Sequence, residues 1–130
     1  MAVRKSPYQA SRILVADKNP RVRKLYARRL RTAGYSVSEA KSGREALALL
    51  REMRFRLVVL DLDMPDSNGF GVLKTLRADF PHIQVLAVTG YMRGALAEAA
   101  ECFGARRALK KPAAPHVLVN TARQLLGDLD

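Results

Sequence analysis

The sequence predicts an α/β protein: a three-layer, doubly wound sheet of five parallel strands with helices on both faces. Three observations carry this reading. Five short strand-like segments alternate along the chain with five stretches of helical periodicity. The run Leu57-Val58-Val59-Leu60 is apolar throughout, as a central strand covered on both sides must be. The chain's 130 residues suffice for one such core and are too few for two domains.

Each element has its own signal. Ile13 to Ala16 is the first strand, and Asp17-Lys18-Asn19-Pro20 supplies a cap and a first-turn proline for the helix that follows. Val22, Leu25, Tyr26, Leu30 and Ala33 give that helix its apolar stripe, and Gly34 ends it. Tyr35 to Ala40 alternates like a strand near a sheet edge. Ser42-Gly43-Arg44-Glu45 is a capping box that opens a second helix, with Ala46, Leu47, Leu50 and Met53 on its inner face. After the central strand, a loop from Asp61 to Gly69 leads to a helix through Val72, Leu73, Leu76 and Phe80. Ile83 to Val88 is the fourth strand, ending at Thr89-Gly90. A small-residue helix from Arg93 to Phe103 stops at Gly104. A short strand over Arg107 to Lys110 and a helix over Pro115 to Leu126 complete the chain.

Composition excludes several classes. Hydrophobic residues are 48% and charged residues 27%, a globular balance. Apolar runs such as Leu57 to Leu60 are far too short to span a bilayer, and Met1 to Ser11 has no hydrophobic signal-peptide core. Cys102 is the single cysteine, so no internal disulfide forms and a reducing cytoplasm is expected. Cys102 reads as a packing residue, and His82 and His116 as surface residues.

Charge is distributed unevenly. Residues 1–56 hold 15 Lys+Arg against 4 Asp+Glu, whereas residues 57–130 hold 8 of each, so the whole excess of +11 lies in the first half. Arg21, Lys24, Arg28 and Arg31 share one face of the first helix, which contains no acid of its own. Like charges so placed repel one another instead of forming i,i+4 pairs, so the face reads as a docking surface for an acidic partner.

In doubly wound sheets, ligands bind beyond the carboxyl ends of the strands. Asp17 follows the first strand, Asp61 the third, Thr89 the fourth and Lys111 the fifth, so all four project at one rim. A carboxylate with a second acid, a hydroxyl and an ammonium around it can handle a phosphoryl group. Asp61 can form an acyl-phosphate, Lys111 can neutralise phosphoryl oxygens, and Thr89 can donate a hydrogen bond to one of them.

Over Arg12 to Leu126 the chain resembles a bacterial response-regulator receiver domain. The landmarks are Ile13-Leu14-Val15-Ala16-Asp17 with Pro20; Leu60-Asp61 with Pro65 and Gly69 beyond it; Thr89-Gly90; and Gly104 through Lys111-Pro112. The resemblance implies a flavodoxin-like (βα)5 fold with strand order 2-1-3-4-5, a tail over residues 1–11 and a receiver domain over 12–130. It further implies a stand-alone, cytoplasmic phosphoprotein of two-component or phosphorelay signalling that is not an enzyme. Asp61 would accept a phosphoryl group from a sensor histidine kinase or a histidine phosphotransfer protein, and Thr89 and Lys111 would sense it. Acids at the end of the first strand, together with Asp61 and the residue at 63, would hold Mg²⁺.

Three positions depart from the family pattern. The family places an adjacent acidic pair at the end of the first strand, but here Asp17 is followed by Lys18. Asp17, Asp61, Lys18 and Lys111 sum to zero charge, which works against a dication. Three outcomes are open: the flexible Lys18 side chain swings into solvent, Asp63 supplies a replacement carboxylate to the metal, or the Lys18 ammonium pairs with Asp61 in the cation's place. Ala108 stands where the family has a switching Tyr or Phe, and Arg56 stands where an acid is common. These departures raise a second reading, a phosphorylation-independent pseudo-receiver scaffold. A basic nucleic-acid-binding protein on the same frame is a third, although no helix-turn-helix, zinc or RNA-recognition pattern accompanies the arginines. Asp61-Leu62-Asp63 also looks like the nucleophile motif of haloacid-dehalogenase-type phosphatases, with Gly127-Asp128 as its last acidic motif. That motif normally lies near the start of its fold, which counts against it here.

Overall fold

The structure, a computed structural model, describes residues 12–64, 69–90 and 95–128, with side chains omitted at 95–97. The five strand-like segments become the strands β1 (Arg12–Ala16), β2 (Ser36–Ala40), β3 (Leu57–Asp61), β4 (Gln84–Thr89) and β5 (Arg107–Lys110). The helices between and after them are α1 (Pro20–Thr32), α2 (Gly43–Glu52), α3 (Gly69–Asp79), α4 (Ala95–Cys102) and α5 (Pro115–Leu125). All strand pairings are parallel, and the order is β2-β1-β3-β4-β5, as the resemblance implies. The expected tail over 1–11, Pro65 and Arg93 lie outside the described residues.

The pleat sorts the strand side chains into two cores. Ile13, Val15, Leu57, Val59, Leu86 and Val88 face α1 and α5, where they meet Tyr26, Leu30, Leu118 and Ala122. Leu14, Ala16, Val58, Leu60, Val85 and Ala87 face the opposite way, onto Ala46, Leu50, Val72, Leu73, Leu76 and Ala100 of α2, α3 and α4. Every residue of β3 is buried, which is why its sequence is apolar without alternation. β2 lies at an edge, and only Ala40 of its five residues is buried.

Local chemistry sets the helix ends. Asn19 caps α1, its side chain accepting from the backbone N–H groups of Arg21 at 2.9 Å and Val22 at 3.3 Å. Gly34, at φ 107°, supplies the left-handed turn that leads into β2. At α2 the Ser42 hydroxyl accepts from Glu45 N–H at 3.1 Å, while Glu45 reaches back to Lys41 N–H at 2.8 Å. Strand β4 starts one residue later than its apolar run, because Ile83 N–H is taken by Phe80 O at 3.0 Å in the preceding turn. Cys102, expected to pack, is exposed instead at the last turn of α4. His82 and His116 are exposed as expected. Among the described residues no helix is long and apolar enough to cross a membrane.

Candidate functional site

Strand register builds the site. Ala16 lies opposite Leu60, so the next residues, Asp17 and Asp61, leave β1 and β3 side by side. Asp61 lies opposite Val88, and Thr89 opposite Lys110, which brings the ends of β4 and β5 to the same rim. The ladder continues past the strand ends: Asp17 N–H donates to Ala40 O at 3.0 Å, Leu62 N–H to Val88 O at 3.0 Å and Lys111 N–H to Thr89 O at 2.9 Å. These bonds fix the main chain beneath each polar side chain. Asp17, Asp61, Thr89 and Lys111 therefore do meet in one pocket.

Asp61 is 1% exposed, and Lys111 Nζ donates to its Oδ1 at 2.8 Å. The same oxygen accepts from Asp63 N–H at 2.9 Å, whereas Asp61 Oδ2 is buried with no hydrogen-bond partner. Asp17 turns its Oδ1 toward Asn19 N–H at 2.8 Å. Burial, reinforced by the neighbouring charge of Asp61, pushes the Asp17 carboxyl above the ordinary carboxylate range despite that bond. Burial disfavours the Lys111 ammonium too, but the hydrogen bond and charge of Asp61, followed by Asp17 and Asp63, outweigh it and raise the pKa. The peptide bond between Lys111 and Pro112 is cis, as the X-Pro pair permits.

Asp63 and Lys18 take up positions that the sequence leaves open. The Asp63 carboxylate accepts from Thr89 Oγ1 at 2.8 Å and from Gly90 N–H at 3.1 Å, and it lies 3.4 Å from Lys111 Nζ. Burial tends to raise its pKa, but Gly90 N–H, the Thr89 hydroxyl and Lys111 together bring it below the usual value. Lys18 Nζ donates to the backbone carbonyl of Asp63 at 2.8 Å and not to Asp61, whose ammonium partner is Lys111.

The oxygens available to a magnesium ion are the carboxylates of Asp17 and Asp61 and the carbonyl of residue 63. Lys18 occupies the carbonyl, Asp63 turns its carboxylate to Thr89 and Gly90, and Asp17 is drawn toward Asn19. Among the described residues no group of three or more His, Cys, Asp or Glu is arranged to hold a metal. Magnesium requires near-octahedral oxygen ligation, and the side chains as arranged do not fit it.

Most basic residues of α1 lie on the surface, whereas the Arg23 side chain is only 12% exposed. Arg21, Lys24, Arg28 and Arg31 are exposed, but Glu39 of β2 supplies an acid that the helix lacks. Its carboxylate lies 3.1 Å from Arg23 Nε, 3.6 Å from Arg31 Nη1 and 4.0 Å from Lys24 Nζ. Arg31 also donates to Val37 O at 2.9 Å. Arg21 and Arg28 form no ion pair with a described acid within 4.0 Å. Tyr26, on the inner side of α1, donates its hydroxyl to Ala113 O at 2.9 Å and so ties the helix to the loop after Lys111. A groove lined by Lys18, Asn19, Val22, Tyr26, Pro112 and Ala113 runs between that loop and α1, beside the pocket.

Two further expectations can be placed. Ala108 is partly buried against the core under α2, α3 and α4, so no aromatic side chain stands at that position to move with Thr89. Asp128 accepts from the Tyr35 hydroxyl at 2.9 Å and Gln84 Nε2 donates to Leu125 O at 2.6 Å, which anchors the end of α5 beside the starts of β2 and β4. Gly127-Asp128 is thus at the rim opposite Asp61 and cannot complete a dehalogenase-type phosphatase site.

Comparison with known proteins agrees with this architecture. A family model for the response regulator receiver domain matches residues 13–123. The polar-differentiation response regulator DivK of Brucella anthropi is 30% identical over 118 residues, which is 89% of this chain and 96% of that protein. A probable transcriptional regulator, ycf27 of Porphyridium aerugineum, is 40% identical over 83 residues, and the match spans 35% of that longer protein. Among solved structures, the chemotaxis response regulator CheY4 of Vibrio cholerae superimposes with a TM-score of 0.82 at 29% identity, covering 89% of this chain and 98% of that one. A CheY-like receiver domain protein of Methanospirillum hungatei gives a TM-score of 0.85 at 26% identity, covering 92% and 95%.

Proposed function

Because the chain belongs to the response regulator receiver domain family, we propose that it is a cytoplasmic receiver whose Asp61 accepts a phosphoryl group in a two-component or phosphorelay pathway. The observation that carries this reading is the 2.8 Å contact between Lys111 Nζ and the buried Asp61 carboxylate, at the rim that Asp17 and Thr89 share. A buried carboxylate held against a lysine that is itself partly open to solvent is placed to meet a donor from outside.

The donor is a phosphohistidine of a sensor kinase or of a phosphotransfer protein. The Asp61 carboxylate forms a P–O bond as the P–N bond breaks. The imidazole leaves with that electron pair, neutral because its other nitrogen carries a proton. Lys111 offsets charge on the phosphoryl oxygens, and Thr89 Oγ1 and Gly90 N–H stand nearby as hydrogen-bond donors. Receivers typically hold Mg²⁺ at this place, and in this chain Lys18 must leave the Asp63 carbonyl before the oxygen set resembles theirs. The basic face formed by Arg21, Lys24, Arg28 and Arg31, with the groove beside it, is the docking surface for an acidic partner.

The test is incubation with acetyl phosphate, with and without Mg²⁺, followed by intact mass. One added phosphoryl group, absent from Asp61→Asn, is expected. No addition under any condition would overturn the reading in favour of a phosphorylation-independent scaffold.

A further inference from the structure

We propose that the Asp63 carboxylate is a built-in occupant of the place where the oxygens of a phosphoryl group on Asp61 would sit. The inference rests on Asp61 as the acceptor and concerns what stands in its way. Thr89 Oγ1, Gly90 N–H and Lys111 Nζ are three described donors at this rim that could receive phosphoryl oxygens. All three already converge on Asp63, at 2.8, 3.1 and 3.4 Å. Lys111 bridges Asp61 and Asp63, as it would bridge Asp61 and a phosphoryl group bonded to it.

The main chain holds Asp63 in this pose from both sides. Its N–H donates to Asp61 Oδ1 at 2.9 Å, and its carbonyl accepts from Lys18 Nζ at 2.8 Å. A phosphoryl group arriving on Asp61 competes for those donors and meets the charge of Asp63, so the carboxylate must swing out before the group is seated. Lys18 and Asp63 then act together: one ties down the backbone of residue 63 while the other fills the anion site.

Two measurements on Asp63→Ala and Asp63→Asn test this, after both variants are shown to melt cooperatively. The first is amide hydrogen exchange at Gly90, which reads the occupant without any phosphorylation. The second is the rate of phosphoryl incorporation from acetyl phosphate with Mg²⁺ present. The expected result in Asp63→Ala is Gly90 exchange at least fivefold faster and incorporation at least tenfold faster, with Asp63→Asn between it and wild type. Unchanged Gly90 exchange in both variants overturns the occupant. Faster exchange with an unchanged, measurable incorporation rate overturns its role as a barrier. Faster exchange with no incorporation in any variant upholds the occupant and overturns Asp61 as an acceptor.

Discussion

Lys18 Nζ donates to the backbone carbonyl of Asp63 at 2.8 Å, across the mouth of the pocket that holds Asp17 and Asp61. This bond links the pocket's departure from the family pattern, Lys18, to the loop that follows Asp61. An ammonium on that carbonyl removes an oxygen from the metal's reach and sets a positive charge beside the place a dication would take. Replacing it by an acid reverses both effects. Two unit charges 4 Å apart interact by about 4 kcal/mol at an effective dielectric of 20, but Lys18 is exposed and most of this is screened. Lys18→Asp is therefore expected to bind Mg²⁺ at least tenfold more tightly than wild type by isothermal titration calorimetry. Equal affinities would show that Lys18 swings clear at no cost.

Asp17 and Asp63 lie in one pocket, yet their pKa values move in opposite directions. The folded protein holds a proton on Asp17 more tightly than the unfolded chain does, so stability from this group falls as pH rises through the unfolded value toward the folded one. Asp63 is depressed, so its contribution is present above the unfolded value and is lost as pH falls through the folded one. At pH 7, Asp17→Asn is expected to stabilise the protein and Asp63→Asn to destabilise it, each by about 1 kcal/mol. Both differences should shrink in urea melts as pH drops below the ordinary carboxylate range. Two variants of the same sign at pH 7 would refute the assignment.

Glu39 contributes to the first helix from outside it. With no acid in α1, the β2 carboxylate is the counter-charge for Arg23, Lys24 and Arg31. Arg23 is held most firmly: of the three it is nearest Glu39 and least exposed, and it also donates to Asp17 O at 3.1 Å. Glu39→Gln is expected to cost about 1 kcal/mol at low ionic strength and less in concentrated salt, where both the attraction and the remaining Arg–Arg repulsion are screened. Thermal melts at two salt concentrations measure this. A salt-independent loss would point to packing instead of charge.

The rim was legible because Asp17, Asp61, Thr89 and Lys111 each end an apolar run, and parallel strands bring such ends together regardless of the intervening chain. The side-chain partners in the loops were not. Asp63 reads as a replacement metal ligand until the fold places Thr89 and Gly90, 26 and 27 positions away, against it. Glu39 was hidden similarly: its alternating strand gives no sign that it faces a helix ending seven residues earlier. Only the approach of α1 to β2 makes it a counter-ion. The Gly90 N–H has no sequence signal beyond its place after a strand-ending threonine. Helix boundaries were legible to within a residue or two where a cap was present, as at Asn19 and Ser42.

Gly69 shows why a spacing landmark has a steric cause. It opens α3, and a Cβ built there would lie 2.5 Å from Leu62 Cα and 2.8 Å from Asp61 O. Both contacts are main-chain atoms of the segment that carries Asp61, so no flexible side chain can move aside. Gly69 N–H also lies 3.4 Å from Leu62 O, which keeps the two backbones close. Gly69→Ala must therefore push α3 away from the end of β3, and overpacking of this kind costs about 2 kcal/mol. We expect a lower melting temperature and slower acetyl-phosphate modification of Asp61, because the carboxylate shifts relative to Lys111. Gly71→Ala, where a Cβ meets nothing within 4 Å, provides the comparison and should melt at or slightly above the wild-type temperature. If the two alanine variants melted alike, helix propensity and not the approach of Leu62 would be what the glycine at 69 governs.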